Sequence, residues 1–185
     1  MIVFKRKQLL IGSIIALLCC TTSSLSAQQN DFVRDFVERL ENSRKYLIQV
    51  AKIMPEENYH FKATPDSLTF AENLMHIGFA MDWHCQSLLG GRTSRDWHTD
   101  TVYKVGNRSK EELIRIIDRT FDETIAFMKS FDAAHLKGEL DYFGLNRTKR
   151  QIFMLLADHI THHRGQMLVY LRLNGRVPPR YVLFQ

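Results

Sequence analysis

Cysteine is scarce in this chain, which excludes a fold built on disulfides. Of three cysteines in 185 residues, Cys19 and Cys20 fall in an N-terminal leader and Cys85 stands alone. Stability therefore has to come from core packing. Long apolar runs are scarce as well. The run from Leu9 to Cys20, interrupted by Gly12 and Ser13, falls short of the about 20 residues that a membrane span requires. Lys5-Arg6-Lys7 precedes it and Ser24-Leu25-Ser26-Ala27 follows it. That is the layout of a secretory signal peptide cleaved near Ala27. The residues before Cys19 and Cys20 are too bulky for a lipidation box. The reading is a leader over 1–27 and one folded domain over 28–185, in an exported, periplasmic protein that meets the membrane only during export.

A strong charge of one sign is also missing once the leader is set aside. Lys5, Arg6 and Lys7 leave with it, so 22 basic and 20 acidic residues remain and the net charge drops from +5 to +2. Nucleic-acid binding loses its electrostatic footing at that value. The remaining charge is uneven: from Arg147 to Arg180 there are seven basic residues and one acid, Asp158. These residues either favour a helix C-terminus and solvent or form a basic rim that attracts an anionic substrate. Internal repeats and low-complexity linkers are absent.

Four segments carry a helical period. Val33, Phe36, Val37, Leu40, Leu47, Val50, Ala51 and Met54 line one face of a helix that ends before Pro55. Thr69-Phe70-Ala71-Glu72, Ser109-Lys110-Glu111-Glu112 and Thr148-Lys149-Arg150-Gln151 each read as a capping box opening a further helix. The second stops at Gly90-Gly91. The fourth ends near Asn174-Gly175, where glycine suits the left-handed cap and Pro178-Pro179 prevent continuation. Four such helices predict an all-α, four-helix bundle. Its connections are long, about 14 to 19 residues each, enough to shape a pocket mouth. The stretch Lys137 to Arg147 suits a short hairpin.

The fourth helix carries histidines where its period calls for core residues: Ile152, Leu156, His159, His163, Met167, Tyr170. His159 and His163 are one turn apart and share a face. Imidazoles placed in an interior need partners, and a bound metal is a common one. A catalytic zinc takes three protein ligands and keeps one position open. The second helix offers His76, aligned with Thr69, Asn73, Ala80 and Trp83, and Gly78 permits a close neighbour. His162 competes for a ligand position, His84 is expected at the periphery, and Cys85 faces the opposite way. Around the cluster, Gln166 and Glu72 are candidates to orient ligands and Trp83 to wall a cavity. The capping box already accounts for Glu72, and Arg164 is expected in a surface or interhelical pair. No general base stands between His159 and His163, and Asp158 is rotated off the site.

The segments Ser67-Leu68-Thr69-Phe70-Ala71-Glu72-Asn73-Leu74-Met75-His76, Asp158-His159-Ile160-Thr161-His162-His163-Arg164-Gly165-Gln166-Met167 and Leu171-Arg172-Leu173-Asn174-Gly175-Arg176-Val177-Pro178-Pro179 together resemble the DinB family of four-helix metalloproteins. The resemblance covers about residues 30 to 180 and implies a metal triad of His76, His159 and His163. It implies zinc or nickel at one end of the bundle, an open coordination place, and homodimers. Thiol-dependent transferases are known in that family. An exported chain meets few thiol cofactors, which leaves a metal-dependent transferase or hydrolase acting on a small molecule, or a non-catalytic module that binds a metal or small ligand in the cell envelope.

Overall fold

The computed structural model describes residues 31–181; the leader over 1–27 lies outside them. Helix α1 covers 31–53. Helix α2 runs Phe70–Asp82 and continues in wider π turns over Trp83–Leu89. Helix α3 spans Lys110–Ser130 and α4 spans Lys149–Leu173. Strands β1 (Glu139–Tyr142) and β2 (Leu145–Thr148) form an antiparallel hairpin just before α4, with Tyr142 opposite Leu145. The all-α four-helix bundle is thus present, with the hairpin and two short 3-10 turns, Glu56–Asn58 and Ala133–Lys137, added among the described residues.

The three capping boxes are closed in both directions. Thr69, Ser109 and Thr148 accept the N–H of Glu72, Glu112 and Gln151, whose side chains accept back from the cap residues. At the far end of α4, Gly175 takes φ 69°. Its N–H donates to Arg172 O and that of Arg176 to Leu171 O, the paired bonds of a Schellman stop. Gly91, at φ 77°, ends the π segment in the same left-handed region.

Helix α2 packs along both α3 and α4. Helix α1 is tied to α3 by Arg44 with Asp118 and Asp122, and to α4 by Phe36 against Phe153. It therefore stands across the bundle from α2, and the long connections make the diagonal steps. Leu47, Leu74, Met81, Ile117, Phe121, Phe153 and Leu156 fill the centre. Cys85 is buried there too, and burial pushes its thiol well above the ordinary range.

The 90–109 connection folds back over α2. Buried Asp82 pairs with Arg92 and Arg95, and Arg95 also reaches Asp100 at 3.3 Å. Asp100 in turn accepts the Tyr103 N–H at 2.6 Å. Arg108 donates to the carbonyls of Thr101, Val102 and Lys104. This staple holds Trp97 and Tyr103 against α2. None of the described helices is long and apolar enough to cross a membrane.

Candidate metal centre

His76 of α2 and His159 and His163 of α4 meet at one point. Each offers a ring nitrogen, and these atoms lie within 4.8 Å of one another. The ring centroids are 5.0 Å apart for His76 and His159, 4.5 Å for His76 and His163, and 4.6 Å for His159 and His163. The helical period alone brings the α4 pair together; the packing of α2 on α4 brings the third.

Asn73, one turn before His76, fixes the tautomer of His163. Its side-chain amide N–H groups donate to Leu68 O at 3.2 Å and Thr69 O at 2.9 Å. The amide oxygen is thereby left to accept, and it does so from His163 Nδ1 at 2.9 Å. With Nδ1 carrying the proton, Nε2 of His163 keeps a free lone pair. An outer partner that orients a ligating histidine is the usual support of a metal site.

His76 Nδ1 and His159 Nε2 are buried with no hydrogen-bond partner. Buried polar atoms are normally paired, so two orphaned ring nitrogens beside a third free one fit a cation. Protonation fits poorly. Burial pushes the His159 imidazolium down to about 4 and that of His163 to about 3, with the neighbouring histidines adding repulsion. His76 is lowered by burial as well. Three neutral imidazoles are what a divalent metal requires.

The cluster opens on a cavity of about 450 Å³ lined by His76, His159, Trp83, Trp97, Tyr142 and Phe143, among others. Trp83 walls it, as its place two turns after His76 suggests. Trp97 meets the His76 ring edge-on at 5.0 Å.

Other expectations need correction. His84 is buried, not peripheral. Its Nδ1–H donates to Ala80 O at 2.7 Å, and its Nε2 accepts from the Tyr142 hydroxyl at 3.0 Å. An 80° offset would reach the surface on a helix with one buried face. Here α2 is covered nearly all round, by α3, α4, the 90–109 connection and the hairpin. Arg164 is fully buried, not at the surface, and has no carboxylate partner among the described residues. It lies between the rings of Tyr46 and Tyr181 and donates to Ser43 Oγ at 3.3 Å, on the α1 side of α4. Gln166 donates to His162 Nε2 at 2.9 Å, and His162 is exposed, so neither reaches the cavity. None of the seven basic residues between Arg147 and Arg180 lines it either, which removes the basic rim. Glu72 is held by its capping box and Asp158 is exposed.

Trp97, Tyr142 and Phe143 are site residues that sequence reasoning passed over, and the bond of Asn73 to His163 was not read. For Asn73 a signal existed: it shares the His76 face one turn earlier. For the other three, which come from a loop and a hairpin tip, periodicity carries none.

The model of the DinB superfamily matches residues 39–167. The chain belongs to this superfamily. An uncharacterised protein of Bacillus subtilis, YjoA, is 23% identical over 152 residues, 80% of this chain and 92% of its own. The crystal structure of that DinB-like protein aligns with a TM-score of 0.63 over 79% of this chain and 95% of its own, at 23% identity. A DinB-like protein from Bacillus cereus gives 0.64 at 19% identity, covering 82% and 95%. These likenesses carry the DinB fold; the three histidines of this DinB protein rest on its own geometry.

Proposed function

We propose that this protein is an exported metalloenzyme in which His76, His159 and His163 hold one divalent cation, zinc or nickel, beside a cavity for a small molecule. The reading rests on one observation: three neutral imidazoles converge beside the cavity, and the two that line it, His76 and His159, carry orphaned buried nitrogens. A cation held there supplies Lewis acidity toward a substrate group. The chain's own residues do the rest. Asn73 keeps His163 in the tautomer that can ligate, the aromatic walls exclude water, and Tyr142 with His84 offers a polar point at the cavity wall. Transferase or hydrolase chemistry suits this arrangement, and the leader over 1–27 supports a periplasmic location. Pairing into homodimers belongs to the same proposal.

A second reading, a module that binds a metal or small ligand without turnover, draws on the carboxylates near the site. Asp158 is exposed, and Asp96 accepts the His98 N–H at 2.9 Å, so neither is poised as a general base.

Metal analysis of the purified chain, followed by assay against esters and thiol-transfer substrates, tests both. The expected outcome is about one tightly held ion per chain, lost in His163→Ala without loss of helicity. Full occupancy in that variant overturns the ligand set. Metal without turnover across the panel selects the binding module.

A further inference from the structure

The cavity beside the imidazoles is walled by aromatic planes. The chain has two tryptophans, Trp83 and Trp97, and both line it. Trp83 stacks on Phe143, with centroids 5.3 Å apart and planes at 22°. Phe79 packs edge-on to Trp97 at 4.9 Å. At the mouth Arg95 is ion-paired between Asp82 and Asp100, while Asp96 accepts only the His98 backbone N–H and keeps its negative charge. Lys104 lies over the Trp97 ring at 4.9 Å and is not among the lining residues. Apart from a cation on the histidines, an anion entering the cavity therefore meets no free lysine or arginine on its walls, and in the metal-free chain desolvating it would be costly. A flat apolar group meets π faces and edges on several sides.

Phe143 gives an independent reason. It sits in the hairpin turn with φ 55°, followed by Gly144 at 81°, a turn that asparagine and glycine enter without strain. The residue is 77% exposed, so burial in the core does not account for an aromatic there. What its position does achieve is to extend the Trp83 face over the cavity. The adjacent Tyr142 supplies the polar contact. Its hydroxyl donates to His84 Nε2, which His84 can accept because its Nδ1–H is committed to Ala80 O. The Tyr142 oxygen therefore presents lone pairs to a donor on the ligand.

We infer that the cavity binds a flat, uncharged aromatic group carrying one N–H or O–H donor, with Phe143 and Trp83 as the residues that select it. This names the substrate class of the site proposed above and rests on that proposal for turnover, whereas the binding itself needs no metal.

The probe is 2-naphthol. Its anionic counterpart is 2-naphthoate, and its saturated, non-planar counterpart is decahydro-2-naphthol. Each is titrated into the metal-loaded and metal-free chain by calorimetry, with quenching of tryptophan emission as a second readout. The expected result is saturable binding of 2-naphthol to both forms, with decahydro-2-naphthol weaker by about tenfold or more in both and 2-naphthoate weaker by a similar factor in the metal-free chain, where no cation offsets its charge. Phe143→Asn should weaken 2-naphthol by about fivefold while leaving Tm and metal content unchanged, because the residue is exposed and asparagine suits the turn. Trp83→Leu should weaken it by a similar factor. Equal affinity of the metal-free chain for the three probes, no binding of 2-naphthol, or undiminished binding to Phe143→Asn overturns the inference. Loss of the metal reading alone would leave 2-naphthol binding and its Phe143 dependence intact, so the two failures are distinguishable.

Discussion

Asn73 illustrates how one side chain converts a cluster of histidines into an ordered site. Because both of its donors are committed to backbone carbonyls, its oxygen can only accept, and His163 can only present Nε2 inward. Asn73→Leu removes this constraint at similar volume. The expected outcome is a 10- to 100-fold loss in metal affinity, measured by competition with a chromophoric chelator, with the helical circular dichroism retained. Affinity equal to that of the unmodified chain would show that His163 is oriented by packing alone. The histidines themselves were legible in the sequence, since polar residues on an apolar stripe stand out. Their partner was less so, because an asparagine four residues after an N-cap reads equally well as a local helix-start bond, and it makes that bond too.

At the scale of elements, α2 does most to build the site. Its first turn anchors Asn73, its middle carries His76, and its π turns carry Trp83 and His84 toward the hairpin. Gly78 lies on the side facing the 90–109 connection. A Cβ there would meet the Tyr103 ring at 2.8 Å and Ile117 Cδ1 at 3.2 Å. The Tyr103 ring cannot easily yield, since its N–H is held by Asp100 and its hydroxyl lies 3.1 Å from Thr120 Oγ1. Gly78→Ala should therefore cost about 1–3 kcal/mol by overpacking, set against about 1 kcal/mol gained in helix propensity. Urea denaturation checks the sign: destabilisation is expected, and a more stable variant would mean that the connection is free to move. Sequence signals located every helix end in this region because caps and left-handed glycines are local chemistry. They did not locate Trp97 or Phe143 in the cavity, since a loop is placed by the long-range Asp82–Arg95–Asp100 staple and a hairpin tip by what it docks on.

The whole molecule couples the site to stability. In the folded, metal-free chain His159 and His163 protonate at about 4 and about 3, against about 6.5 in an unfolded chain. Between those limits the unfolded chain binds more protons, so stability rises with pH across the window. It is fully present above about 6.5 and is lost as pH falls toward 4 and below. Denaturation of the metal-free protein at pH 7 and pH 5 should show the lower stability at pH 5, and the difference should shrink in His159→Gln. Equal stability at both values in the parent chain would mean that water reaches the imidazoles.

What the sequence determined by itself was the local and periodic part: four amphipathic helices, three of them opened by capping boxes, the hairpin, and two histidines on one face of α4. These follow from contacts between residues three or four apart, or from the conformational preferences of single residues. Tertiary structure decided which faces α2 keeps from solvent, and so that His84 lies inside. It also decided that Arg164 lies buried between two tyrosine rings, and that Trp97 and a hairpin phenylalanine join Trp83 around the cavity. Those outcomes depend on which distant segments cover a helix, and helical period carries no information about that.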